Sequence, residues 1–220
     1  MQKQNIDFEK YYEGKNDVAR YLQPTIGKRF AIFTKSNTNN LIDLSSKPDD
    51  FIGLYDLNFL DYGDVMSNRE VEKKHNAEII REARGDILIA GLGIGLILLP
   101  IMNKPEVTSV EVVELQQEII DLVAPMLPLS GKVKIIQGNI INFIPNHKYD
   151  CIYIDTLYTN MLLYDEVKER SIDGVFVEDP EIAKTFRKKF LKPGGYCAAW
   201  GFPGKRETIF YKFFRKYVAR

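Results

Sequence analysis

A three-layer α/β sandwich, built on a mainly parallel sheet of at least five strands and preceded by a small β-rich appendage, is the fold the sequence predicts. Two observations carry that prediction. From Ser67 onward, short apolar runs of β type alternate with runs of helical spacing, and strands separated by helices pair in parallel with helices on both faces. ILIA (87–90) and CIYI (151–154) are apolar at every position rather than at alternate ones, as strands covered on both faces require. The 220 residues suit one domain with an appendage, and 45% apolar with 27% charged residues is a globular mix that excludes a disordered, collagen-like or coiled-coil chain.

The appendage is expected over residues 1–66 and the α/β domain over 67–220. Within the appendage, Phe8–Leu22 has helical spacing, Gly27–Lys35 reads as a strand, Ser36–Asn40 as a turn, and Leu41–Leu44 and Phe51–Leu60 as short strands. Ser67 and Glu70 have the spacing of a capping box, which predicts a helix over Val71–Ala83. Strands are then expected at Asp86–Ala90, Thr108–Val113, Lys132–Gln137, Tyr149–Asp155 and Tyr196–Trp200. Helices are expected at Leu96–Met102, Gln116–Leu127 and Pro180–Phe190. Apolar residues recur at helical spacing over Thr208–Arg220, which leaves little chain for further strands. The sheet is therefore expected either to be short or to be completed by the appendage, and an uncovered edge invites a homodimer.

The run ILIAGLGIG (87–95) is a strand entering a glycine-rich turn, where the absence of side chains permits a tight reversal and lets a ligand touch the backbone. Glu114 ends the next strand, 19 residues past Gly95. In doubly wound folds an acid there takes the two ribose hydroxyls of an adenine nucleoside, and a carboxylate accepts both at once. The alternative is that Gly91, Gly93 and Gly95 only make a turn and Glu114 caps the next helix. Leu96 stands one residue after Gly95, and the run departs from the G-x-G-x-x-G spacing of dinucleotide sites, which favours a nucleoside without a pyrophosphate.

ILIAGLGIG, VVELQQEIIDL (112–122), KVKIIQGNIINFI (132–144), KYDCIYIDTLY (148–158) and LKPGGYCAAW (191–200) occur in this order. Together they resemble the successive motifs of class I S-adenosylmethionine-dependent methyltransferases, whose fold is Rossmann-like, and among these the spermidine-synthase-like branch. The similarity covers roughly residues 65–200. It implies that S-adenosylmethionine is the cofactor, with Gly91, Leu92, Gly93 and Gly95 passing under its methionine part. Glu114, followed by Leu115, would hold the ribose. Asn139, where the family has Asp, would meet the adenine amino group, and the Ile140 N–H an adenine ring nitrogen. Asp155 would stand beside the sulfonium and the acceptor, as a binding residue and as the candidate catalytic base or orienting group.

The departures bear on the reaction. Spermidine synthases carry an Asp where this chain has Ile94, and a second Asp after the fourth strand where it has Tyr158. A polycationic polyamine needs such carboxylates, so methyl transfer to an unknown acceptor is favoured over aminopropyl transfer. An inactive cofactor-binding protein of the same fold is the other alternative. A small-molecule or amine-bearing acceptor is expected. Seven acids against two bases over Asp165–Glu181 read as an acidic lid or as a solvated face. Eleven basic residues against one acid over Lys184–Arg220 fit the outer faces of helices better than a nucleic-acid surface. His75 and His147 lack metal-site spacing, so no metal is expected, and Cys151 and Cys197 read as buried apolar residues rather than a disulfide framework. Ile87–Asn103, the longest uncharged run, is too short to span a bilayer, and MQKQNIDFEK has no apolar secretory segment; a cytoplasmic protein without a membrane partner is expected.

Overall fold

A computed structural model of the chain describes residues 7–36, 50–58, 64–156 and 180–199. Two sheets make up the fold. The first is antiparallel, in the order β1-β2-β3-β4, from strands β1 (Thr25–Ile26), β2 (Phe30–Ser36), β3 (Asp50–Asp56) and β4 (Met66–Ser67). The second is parallel, in the order β7-β6-β5-β8-β9, from β5 (Gly85–Ala90), β6 (Val107–Glu114), β7 (Val133–Gln137), β8 (Tyr149–Ile154) and β9 (Leu191–Ala199). The helices are α1 (Glu70–Glu82), α2 (Leu98–Met102), α3 (Gln117–Val123) and α4 (Pro180–Phe190). The expected α/β class and five-stranded parallel sheet are both present.

Strand β5 lies at the centre, and the chain first builds outward to β6 and β7, then crosses to β8 and β9. The gap between the ends of β5 and β8 is thus the point where the winding reverses, the usual ligand crevice of such sheets. Two apolar layers flank the sheet. Ile87, Ile89, Cys151 and Tyr153 face one side with Ile79 and Ile80 of α1, whereas Leu88, Ala90, Ile152 and Ile154 face the other with Phe186 of α4. This alternation across fully buried strands is what the uninterrupted apolar runs encode. Cys151 and Cys197 are buried and unbridged, and burial pushes both thiols up.

The first sheet shares the larger core. Phe30, Ile32, Ile52, Leu54 and Met66 pack in one cluster with Ile87, Ile94 and Leu99. Met66 and Ser67, on either side of the expected boundary at 66/67, lie in the same strand. The antiparallel strands form their own sheet and do not extend the parallel one, so of the two expectations, a short sheet or completion by the appendage, the second is not met among the described residues.

Several local expectations are corrected. Phe8–Leu22 is three single 3-10 turns (Glu9–Tyr12, Gly14–Asn16 and Val18–Arg20), not a helix. Gly14, at φ +59°, turns the chain, and the Asp17 carboxylate accepts from the Ala19 N–H to start the last turn. Tyr12, Val18 and Leu22 are still buried, so the apolar pattern is kept without the helix. Ser67 does not cap α1: it pairs with Gly53 in β4, and Arg69 takes the cap position without a side-chain bond. The last strand, expected from Tyr196, starts at Leu191, so Lys192-Pro193-Gly194-Gly195 lies inside β9 at a break in its register with β8, with Gly194 at φ +76°. The helix expected over 116–127 ends at Val123, and a 3-10 turn, Ala124–Met126, carries Pro125. The expected turn at 37–40, the strand at 41–44, most of the acidic connection at 156–179 and the helix at 208–220 lie outside the described residues.

Candidate nucleoside-binding crevice

The carboxyl ends of β5, β6, β7 and β8 converge on one edge of the sheet, and backbone hydrogen bonds stitch their loops together. The Gly91 N–H donates to Val113 O (2.9 Å), the Asp155 N–H to Ala90 O (2.8 Å) and the Gly138 N–H to Glu114 O (2.9 Å). The sequence-predicted residues Gly91, Leu92, Gly93, Gly95, Glu114, Leu115, Asn139, Ile140 and Asp155 therefore all lie on strand ends or loops at this edge.

The glycine loop is built as a close reversal. Gly91, Gly93 and Gly95 have φ of +96°, +50° and +77°, values that side chains with a Cβ rarely adopt. A Cβ on Gly91 would collide with the Asp155 carbonyl oxygen, and one on Gly93 with the Met66 thioether sulfur. The first glycine thus lets the β5 and β8 ends close on each other, and the second seats Met66 of β4 on the loop. Leu92 and Ile94 turn into the core, 3% and 0% exposed, and anchor the loop from below.

Glu114 is 6% exposed. Its Oε2 accepts from the Leu92 N–H and its Oε1 from the Gln116 N–H, both at 2.8 Å. Burial pushes its carboxyl up, against the lowering effect of these backbone donors. The Leu115 and Gly93 N–H groups add to this lowering effect. The carboxylate therefore braces the glycine loop, a role that the spacing alone did not show. Leu115 is half-buried, and its carbonyl accepts from Gln137 Nε2 (3.1 Å). Asn139 is exposed, and its Oδ1 caps the following turn by accepting from the Ile141 N–H (2.9 Å). Ile140 is 5% exposed and packs under the sheet with Val113 and Ala90.

Asp155 continues the inward face of β8. Its Oδ2 is buried and has no hydrogen-bond partner among the described residues. Burial, reinforced by the charges of Glu72 and then Glu114, pushes its carboxyl up to about 8. Sequence reasoning missed Glu72 and Met66. Glu72 lies in the first turn of α1, where acids ordinarily serve the helix dipole and attract no notice. Met66 was read as the end of the appendage. Neither histidine belongs to the crevice: His147 is exposed, with its ring 4.5 Å from that of Tyr149, and His75 is exposed on α1. Among the described residues no group of His, Cys, Asp and Glu could hold a metal ion, and no helix is long and apolar enough to cross a membrane.

No family model matches the chain, and no curated protein does. Among solved structures it is similar to the N-methyltransferase NodS from Bradyrhizobium japonicum WM9, at 16% identity over 59% of this chain and 67% of that one, with a TM-score of 0.43. It is also similar to the glycopeptide N-methyltransferase MtfA complexed with (S)-adenosyl-L-methionine, at 16% identity over 56% of this chain and 46% of that one, TM-score 0.40. A third is DhpI in its SAH complex, at 16% identity and TM-score 0.39, where the match spans about half of that protein (52%) and 56% of this chain. Each likeness is partial.

Proposed function

We propose that this chain is an S-adenosylmethionine-dependent methyltransferase, with the cofactor lying over the Gly91–Gly95 loop. The observation that carries the proposal is the crevice at the winding reversal. A glycine-rich loop there is flanked by a buried carboxylate, Glu114, and by a buried carboxylate oxygen without a partner among the described residues, Asp155 Oδ2. The fit is chemical. Ribose hydroxyls are donors for Glu114, and a sulfonium or ammonium suits a crevice whose charges are carboxylates.

When bound, S-adenosylmethionine supplies a methyl group on a cationic sulfur that leaves as a neutral thioether. The chain's part is then alignment, which is worth up to about 7–11 kcal/mol in favourable cases. In this reading the backbone of Gly91, Leu92, Gly93 and Gly95 supports the amino-acid end, Glu114 and Leu115 meet the ribose, and Asn139 and Ile140 border the base. Asp155 orients the acceptor and takes its proton, a task for which a carboxyl titrating near neutrality is suited.

The finer kinship, with the spermidine-synthase-like branch, is supported by the likeness of segments 112–122 and 132–144. Ile94 argues against aminopropyl transfer: the position that would be an Asp is 0% exposed and belongs to the apolar core. Calorimetry with S-adenosylhomocysteine, decarboxylated S-adenosylmethionine and NAD tests the reading. Binding of the first in preference to the other two is expected; NAD binding without S-adenosylhomocysteine binding would overturn it.

A further inference from the structure

We infer that Asn76, buried in α1, is a positioning residue for Asp155: it acts through the Tyr153 hydroxyl and fixes how the end of β8 sits against α1. The inference rests on the function proposed above, in which Asp155 orients the acceptor, and adds to it a residue from outside the loop set.

Asn76 stands where an apolar residue would ordinarily be. Asn76, Ile79, Ile80 and, just past the helix, Ala83 form a buried stripe at helical spacing. Asn76 and Ala77 are the first buried residues of α1, so the stripe opens on an amide, and Asn76 is 0% exposed. Its Oδ1 accepts from the Tyr153 hydroxyl at 2.5 Å. Tyr153 is buried as well and belongs with Ile79, Ile80 and Cys151 to the larger core. Asp155 follows Tyr153 by two residues. Its N–H still donates to Ala90 O (2.8 Å), so the alternation of β8 carries through to it and both side chains leave the chain on the same face. Two residues of strand thus join the Asn76 bond to the Asp155 carboxyl.

Stability does not explain this bond. Asn76 Nδ2 is buried and has no partner among the described residues. An unsatisfied buried donor offsets what the bond to Tyr153 contributes. A leucine at 76 and a phenylalanine at 153 would nearly keep the volume and remove the polar groups together, an exchange that is often neutral or stabilising. Such a pair could not fix direction. Apolar contacts are non-directional, whereas a hydrogen bond sets a distance and an angle. The bond therefore sets how closely α1 lies on the end of β8, and with it the burial of Asp155. Burial is the main cause that raises the Asp155 carboxyl, followed by the charges of Glu72 in α1 and Glu114 in β6. A looser fit of α1 admits water and moves that carboxyl toward the ordinary range.

The test follows the Asp155 carboxyl by NMR titration of the full chain, with carbon-labelled aspartate carboxyls and the signal identified by its loss in Asp155→Asn. Wild type is expected to titrate at about 8. In the double variant Asn76→Leu with Tyr153→Phe the midpoint should fall by about one pH unit or more, roughly a tenfold loss of proton affinity. The melting temperature at about pH 4.5, where folded Asp155 holds its proton in both proteins, should not fall. Each single variant should give the same midpoint shift as the double, because all three remove one bond. An unchanged midpoint, a midpoint that falls together with the melting temperature of the double variant, or single shifts that add would overturn the inference. Should the double variant not fold, Tyr153→Phe alone decides by the same midpoint. S-adenosylhomocysteine binding to wild type is measured alongside: its absence would sink the cofactor reading, while the titration still decides whether Asn76 governs Asp155.

Discussion

Replacing Asp155 by Asn should make the protein more stable at alkaline pH and a poorer catalyst at every pH. In the fold the Asp155 carboxyl titrates at about 8, against 3.8 for an ordinary aspartate. Four powers of ten at about 1.4 kcal/mol each set an upper limit of roughly 6 kcal/mol. Asp155 is half-buried, so solvent screens part of this, and about 2 kcal/mol is expected. The sign follows from which state holds the proton. The folded value is raised, so between about pH 4 and pH 8 the native state keeps a proton that the unfolded chain has released. Stability from this group is therefore complete below about pH 4 and is lost as pH rises through about 8. Asparagine does not titrate and keeps the shape. Urea unfolding at pH 4.5, 7 and 9.5 should show wild type and Asp155→Asn nearly equal at the lowest pH. The variant should be ahead by about 2 kcal/mol at the highest. A difference that is constant across the three pH values, or a variant weaker at pH 9.5, would refute the account of a charge forced into a buried setting at the end of β8. On the functional side, turnover should fall more than S-adenosylhomocysteine affinity; a fall in affinity alone would make Asp155 a binding residue.

Glu114→Ala should cost both cofactor affinity and about 2–4 kcal/mol of stability, because it strands the Leu92 and Gln116 N–H groups, and thermal unfolding without ligand would show it. Gly91→Ala should be worse than Gly93→Ala by at least about 1 kcal/mol, since its methyl group meets a backbone carbonyl rather than the end of a flexible side chain. Chemical denaturation that ranks them the other way would contradict the loop geometry. Lys192→Met should cost on the order of 1 kcal/mol at pH 7, because Lys192 Nζ bridges Asp86 (2.8 Å) and Asp150 (2.7 Å) but is partly exposed. Both carboxyls are held below the usual range, Asp86 chiefly by its hydrogen bond to Lys192 and Asp150 because burial, which raises it, is outweighed by Lys192 and a backbone donor, so this stability is present above about pH 4 and fades as pH falls below it. An unchanged difference between pH 7 and pH 2.5 would count against the bridge.

Much of the fold was legible because burial on both faces leaves a plain mark. ILIA and CIYI can be little else than central strands, and their order with the intervening helices fixes the winding reversal and the place of the glycine loop. Capping and turn signals were less reliable, since they depend on partners far along the chain. Ser67 has a cap's spacing yet pairs with Gly53 of β3 as part of β4, and Pro193-Gly194 is taken into β9 where its register with β8 breaks between Tyr149 and Cys151. The site was half readable. Glycines and an acid at a strand end have a recognisable spacing, whereas the charge of Glu72 acts on Asp155 only because α1 packs on β8, which no local pattern encodes. The bracing role of Glu114 was hidden for a related reason. A carboxylate able to take hydroxyls can equally take amides, and the choice is settled by how tightly the loop turns.

The roof over Gly93 has an evolutionary corollary. Because the thioether resting there comes from β4, the α/β layer is not a cassette that could be transplanted onto another leader. A chimera replacing everything before residue 67 must supply an unbranched side chain of the same reach or leave a void above the loop. Shortening the side chain at 66 would open space above the loop without freeing position 93 for a larger residue, because its φ of +50° strains any side chain there.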